Sequence, residues 1–152
     1  MKALIQRVQT ASVRVDESVV GEIEKGLLVF LAAEKGDDLE TVDKLADRLL
    51  NYRVFSDQDG KMNLSSVDTG AEILLVSQFT LAADTRKGRR PSFTPAAAPE
   101  LAKELYLKFA ERLRQAELKV ETGQFAADMQ VGLVNDGPVT FMLEQEGSGR
   151  EN

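Results

Sequence analysis

The sequence predicts an α+β fold: one domain in which a curved, barrel-like mixed sheet, mostly antiparallel, carries two main helices on one side. Three observations predict it. Strand patterns open the chain as a pair, two strand–helix units follow, and a run of strands closes it. That order is not the steady alternation of a doubly wound sheet, and it sets few helices against much strand. At 152 residues, without internal repeats, the chain is sized for a single core.

The elements follow in order. In "ASVRVDESVVGEI", Val13 and Val15 flank the polar Arg14, and Val19, Val20 and Ile23 resume after Asp16-Glu17-Ser18, which reads as a hairpin. "GLLVFLAA", residues 26–33, is apolar on both faces and so predicts a central strand covered on both sides. Asp37, three residues before Glu40, resembles a capping box with aspartate as the cap. Leu39, Val42, Ala46 and Leu49 then recur at helical spacing, Leu45 and Leu50 widen the stripe, and the helix should end near Tyr52. "SDQDGK", 56–61, is a turn by composition. "AEILLVSQFTLAA", 71–83, predicts a second buried strand that becomes irregular, and 84–99 a long loop rich in Gly, Pro and cations. Pro99 suits the first turn of a second helix with an apolar stripe of Leu101, Leu105, Phe109 and Leu113. Strands near 118–122, 129–135 and 139–145 complete a domain spanning 1–145, with 146–152 as a flexible tail.

Composition excludes several chemistries. The chain has neither histidine nor cysteine. Zinc sites of the usual nitrogen–sulfur type, disulfides, thiol nucleophiles and Ser-His-Asp relays therefore cannot be built from it. No metal or other cofactor is expected. Reactivity must come from carboxylates, lysine, hydroxyls, backbone dipoles or the substrate itself. No apolar run reaches membrane-spanning length and "MKALIQRV" lacks a leader's apolar block, so a cytoplasmic protein without membrane partners is expected. A net charge of −6 argues against an extended nucleic-acid groove, and DNA is not expected as a partner. A small basic patch gripping a short end is compatible with it.

Four segments carry possible chemistry. Ser77, Gln78, Phe79 and Thr80 end a buried strand, where backbone N–H groups are rigidly held and free to face a ligand. Thr80 can act as a nucleophile or lend its amide to an oxyanion; the alternative is a strand exit whose hydroxyls satisfy local backbone. Arg86, Lys87, Arg89 and Arg90 form a positive patch beside Phe93, suited to phosphate and a stacked base, or simply a solvated loop. Gly137-Pro138 interrupts a strand pattern, whereas Pro91, Pro95 and Pro99 cluster in one connection. Either a bulge tolerates this proline, or a cis bond re-aims the flanking carbonyls while glycine lets another backbone or a ligand come close. Arg7 lies in the strand "ALIQRV", facing outward or pinning nearby carbonyls with its planar fork.

Together, "YRVFSDQDGKMNL" (52–64), "SQFTLAAD" (77–84), "KGRRPSF" (87–93) and "GQFAADMQVGLVNDGPVTF" (123–141) resemble the D-aminoacyl-tRNA deacylase family, from Met1 to about Leu143. The resemblance implies a homodimer with its sites at the subunit interface. Its reaction is hydrolysis of the ester between a D-amino acid and the 3′-terminal adenosine of tRNA, and removal of glycine wrongly attached to alanine tRNA. In that family Gly137-cis-Pro138 enters the partner's site, Ser77 to Thr80 line it, and Arg7 holds the glycine–proline pair. The ribose 2′-OH assists hydrolysis. Two other readings stay open on the residues alone: a non-catalytic oligomer that binds a small anionic metabolite, and a purely structural partner protein.

Overall fold

The valine-rich alternation near the start folds as the predicted hairpin. Strands β1 (Lys2–Val15) and β2 (Ser18–Ile23) run antiparallel, and Asp16 and Glu17 both turn with positive φ, the twist that a two-residue hairpin loop requires. The computed structural model describes residues 1–149 of the chain.

β1 is the spine of the sheet. One of its edges pairs with β3 (Gly26–Ala32) along residues 2–8 and with β2 along 11–15; the other pairs with the long strand β8 (Gln130–Glu144). β3 continues in parallel to β6 (Glu72–Ser77), and β6 in parallel to β7 (Val120–Thr122). The sheet is therefore mixed, with its antiparallel pairs gathered around β1. It also curls. A Cβ on Gly21 of β2 would lie 2.7 Å from the Thr122 carbonyl oxygen of β7, so the glycine lets the two ends of the sheet come together into a nearly closed barrel.

Helices α1 (Leu39–Asn51) and α3 (Pro99–Arg114) cover one face. Val42, Leu45, Leu49, Leu105, Phe109 and Leu113 pack there on Ile5, Leu27, Val29, Ile73 and Leu75. Burial rather than helix propensity holds them. Phe109 is wholly enclosed, and truncating such a ring costs about 3–5 kcal/mol, several times the spread among ordinary helix formers. Val8, Val13, Ile23, Leu28, Leu74 and Val76 pack together on the opposite face, inside the curl.

Some boundaries differ from the sequence reading. The cap of α1 is Asp38, not Asp37: its carboxylate accepts from the Thr41 amide at 3.0 Å, and the Thr41 hydroxyl accepts from the Asp38 amide. Asp37 is engaged elsewhere, accepting from the Glu34 amide at 2.6 Å and pairing with the buried Met1 ammonium at 3.0 Å. A short helix α2 (Ser66–Thr69), capped by Ser65 and ended by Gly70, joins the hairpin of β4 (Phe55–Ser56) and β5 (Met62–Leu64) to β6. Sequence pattern does not reveal it, because one helical turn carries no apolar period. The irregular end of 71–83 is a 3-10 turn, Phe79–Ala82. The segments 129–135 and 139–145 belong to one strand with an interruption. Of the tail expected to be flexible from residue 146, Gly147 packs so closely on the Gly36 backbone that no Cβ would fit, and Ser148 donates to Asp38; residues 150–152 lie outside the described part.

Tyr106 ties α3 to the strand end that matters below. Its hydroxyl donates to the Leu75 carbonyl at 2.9 Å, and burial pushes the phenol up to about 12. The folded value lies above that of a free tyrosine at ~10, so its stabilisation is complete below that pH and is lost as pH rises toward 12. Tyr106→Phe is expected to cost about 1 kcal/mol at neutral pH. In urea titrations the variant should also lose less stability than the parent between pH ~10 and 12.

Candidate active site

β6 delivers the first part of the site. Its ladder to β3 extends one step beyond the strand, with the Gln78 amide donating to the Leu31 carbonyl at 2.8 Å. The backbone then turns into the 3-10 segment, which the amides of Phe79 and Thr80 open. The leading N–H groups of such a turn have no partner within it. The Gln78 side chain donates to the Thr80 hydroxyl. An amide is not a base in either orientation, so this contact does not prepare Thr80 to attack a carbonyl.

Beside these residues lies a cavity of about 500 Å³, the size of a small-molecule site. Ser77, Gln78 and Phe79 form one wall. Leu31, Ala33, Tyr106, Phe125 and Met129 make most of the remainder apolar, and Asp128 supplies a carboxylate. The Leu75 carbonyl beneath accepts both from Tyr106 and from the Gly123 amide at 3.0 Å, so β6, α3 and the 123–129 loop hold one another in register. A second depression of about 550 Å³, lined by Gln9, Glu24, Lys25 and Glu72 among others, contains none of the predicted residues. Among the described residues no three acidic groups are placed to hold a metal ion.

The basic loop is closed at its base. Asp84 and Ser92 exchange backbone hydrogen bonds of 2.7 and 3.0 Å, and Gly88 turns the tip at φ +71°. Arg86 folds back on Asp84 with two contacts of 2.9 Å, and these bonds hold the Asp84 carboxyl down to about 2. Arg86 is thus committed to shaping the loop, while Lys87, Arg89 and Arg90 are exposed and have no ion-pair partner among the described residues. Phe93, just past the closure, meets Phe79 at 5.0 Å between ring centroids.

Gly137 and Pro138 lie elsewhere. In the β1–β8 ladder Gln6 faces Thr140 and Val8 faces Asn135, so residues 136–139 stand opposite Arg7 alone. This four-residue excursion carries a cis Gly137–Pro138 bond, and both residues are exposed. Arg7 reaches beneath it: Nε lies 3.3 Å from both the carbonyl and the carboxylate of Asp136, and Nη1 donates to the Val54 carbonyl at 2.8 Å. Gly137 has φ +126°, and a Cβ there would lie 2.8 Å from Val139 Cγ2 and 3.2 Å from Arg7 Nη2. Neither Gly137 nor Pro138 lines the cavity beside Ser77. One chain therefore joins Ser77, Gln78, Phe79, Thr80 and Phe93, carries the cations in the loop that leads into Phe93, and keeps Arg7, Gly137 and Pro138 out of the cavity lining.

Sequence reasoning missed Asn135. Its side-chain amide donates to the Arg7 carbonyl at 2.8 Å and the Val139 carbonyl at 3.1 Å, spanning the mouth of the excursion, and its oxygen accepts from Thr140. The signal was its position just before the interruption. It also gave no role to Phe125, Met129 and Asp136, though they lie inside the quoted 123–141 stretch, and missed Tyr106, which no charge or motif argument singled out.

A nearly closed α+β barrel with a histidine-free cavity at its strand ends defines the class. Residues 4–144 match the family described as D-Tyr-tRNA(Tyr) deacylase, and the chain belongs to that family. It is 61% identical over 144 residues to the D-aminoacyl-tRNA deacylase of Shewanella frigidimarina, and 59% to that of Escherichia coli O81; each comparison covers 95% of this chain and 99% of the relative. Among solved structures, one named c-Myc DNA Unwinding Element Binding Protein superposes with a TM-score of 0.91 at 41% identity, covering 97% of this chain and all of that one. A probable eukaryotic D-amino acid tRNA deacylase shares the fold at a TM-score of 0.81 and 18% identity, over 93% of this chain and 97% of that one.

Asn135→Ala leaves two carbonyls without their donor. It should lower the unfolding free energy by about 1 kcal/mol and speed amide exchange at Val139 and Thr140. Asn135→Asp, which has only acceptors, should behave alike.

Proposed function

We propose that this protein hydrolyses the ester linking a D-amino acid to the 3′-terminal adenosine of tRNA, releasing the free amino acid and tRNA. The observation that carries the reading is the identity of about 60% with curated D-aminoacyl-tRNA deacylases over nearly the whole of each chain. Water attacks the acyl carbon, the carbonyl oxygen becomes an oxyanion, and the ribose 3′-oxygen leaves with a proton. No strong nucleophile is needed, because an aminoacyl ester is already activated. Holding it rigidly and stabilising its oxyanion suffice.

In this mechanism the amides of Phe79 and Thr80 receive the oxyanion, and Ser77 and Gln78 wall the site. The 2′-OH of the terminal ribose orients the attacking water. What supports assignment of that task to the substrate is the absence of histidine and the amide, rather than basic, neighbour of Thr80. Lys87, Arg89 and Arg90 hold the phosphates of the acceptor end, with Arg86 shaping their loop.

Chirality is read by backbone. The protein acts as a homodimer in which Gly137 and Pro138 of one subunit enter the cavity of the other. Their exposure and their absence from the lining of their own chain's cavity support this. Main-chain oxygens beside the substrate's α-carbon leave no room for an L side chain, which is selection by refusal. Glycine has no side chain to refuse, so glycine mischarged on alanine tRNA is cleared too. The setting is cytoplasmic translation quality control, without cofactor, membrane or DNA.

D-tyrosyl-tRNA should lose its ester in the presence of the protein and L-tyrosyl-tRNA should not. Thr80→Ala is expected to keep most of that rate, whereas a 2′-deoxy terminal adenosine should lower it by two orders of magnitude or more. A dead Thr80→Ala with an active 2′-deoxy substrate would instead make Thr80 the nucleophile.

A further inference from the structure

Phe79 and Phe93 are 60% and 41% exposed, yet they contact each other. Exposed aromatic pairs of this kind cost solvation and do not serve the core. The pair occupies a specific place. Phe79 belongs to the cavity wall and Phe93 does not, so the rings lead outward from the cavity. The loop closed by Asp84 and Ser92, which leads directly into Phe93, exposes Lys87, Arg89 and Arg90. Both rings are held from below. The Gln78 amide is fixed to β3, and the segment after Phe93 is tied down by Lys35 N–H to the Pro95 carbonyl at 3.0 Å and Ala97 N–H to the Ala33 carbonyl at 3.1 Å. Apolar rings at the cavity and exposed cations thus lie on one segment, residues 79–93, of a protein whose net charge is −6.

That combination of surfaces matches single-stranded nucleic acid, whose bases stack on aromatic rings while its phosphates pair with cations. We infer that Phe79 and Phe93 form a stacking ledge for the nucleobase immediately 5′ of the terminal adenosine. The ledge rests on the proposed function for the identity of its ligand, but not for its existence as a base-binding surface. Stacking ignores base identity because every base has a π-face. It therefore adds affinity without restricting which acceptor ends are served.

The test is binding of unreactive ligands by calorimetry: the dinucleotide CpA, and the same molecule with its 5′ base removed. The parent protein should bind CpA roughly ten-fold more tightly than the abasic ligand, the scale of one base–aromatic stack. In Phe93→Ala that ratio should collapse toward one, and in Phe93→Tyr it should persist. Should Phe93→Ala fold poorly, Phe93→Leu supplies a side chain of similar bulk without a π-face. Equal affinity of the parent for both ligands, or an unchanged ratio in Phe93→Ala and Phe93→Leu, would overturn the ledge. Ester hydrolysis assayed on the same preparations separates the two ideas. An active enzyme with no base preference refutes the ledge alone, and a base preference without D-selective hydrolysis refutes only the proposed reaction.

Discussion

The proposed two-chain site depends on the break in the β1–β8 ladder opposite Arg7. β1 is shared by three strands, and opposite Arg7 its pairing with β8 gives way to four residues of β8. A bulge of that size strips several backbone groups of their partners, and leaving even one such group buried and unsatisfied costs about 1–3 kcal/mol. Here the losses are made good by side chains. Arg7 donates to the Asp136 and Val54 carbonyls, and Asn135 to those of Arg7 and Val139. The exposed tip is thereby held by the same strand that organises the barrel. An exposed surface loop would otherwise be the most mobile part of a domain.

The second constraint is separation. The cavity at the end of β6 has amides, an apolar floor and no acid–base histidine, and the Gly137–Pro138 tip lies outside it. In the proposed mechanism the cavity positions the ester and the tip excludes the side chain, so each part needs the other. In the proposed homodimer, two copies related by a two-fold axis would supply both parts twice, as a symmetric interface does for any pair of complementary patches. The free edge of β8, paired only to β1 among the described strands, leaves that surface open to a second chain.

Much of this was legible in the sequence. The doubly apolar 26–33 segment became the central strand, and Pro99 marked the first turn of α3. The charge run at 86–90 and the isolated Gly137-Pro138 pointed to features that the fold treats as special. What was not legible depends on partners far apart in the chain. Asp37 and Asp38 are equivalent caps by composition. The distant Met1 ammonium decides between them by engaging Asp37. Arg86 reads as one of four equal cations, and only the folded loop shows it committed to Asp84. Asn135 is an ordinary polar residue until β1 is brought beside it. The cavity walls at Tyr106, Phe125 and Met129 come from two separate segments, joined through Leu75 only in the fold.

The most direct test of a site shared between two chains is complementation. Gly137→Val adds a branched side chain where φ is +126° and Val139 and Arg7 crowd it, so the altered tip would obstruct the cavity it is proposed to enter. Ala102→Trp fills the cavity that Ala102 lines. Each variant alone should be inactive on D-tyrosyl-tRNA. After unfolding and refolding together, mixed dimers contain one site with both an intact cavity and an intact tip. Activity should then return to about a quarter of the parent's, as random pairing of two chain types in a two-fold dimer requires. A mixture no more active than the two variants assayed separately would mean that tip and cavity serve the same chain, and a site shared across the two-fold axis would be ruled out.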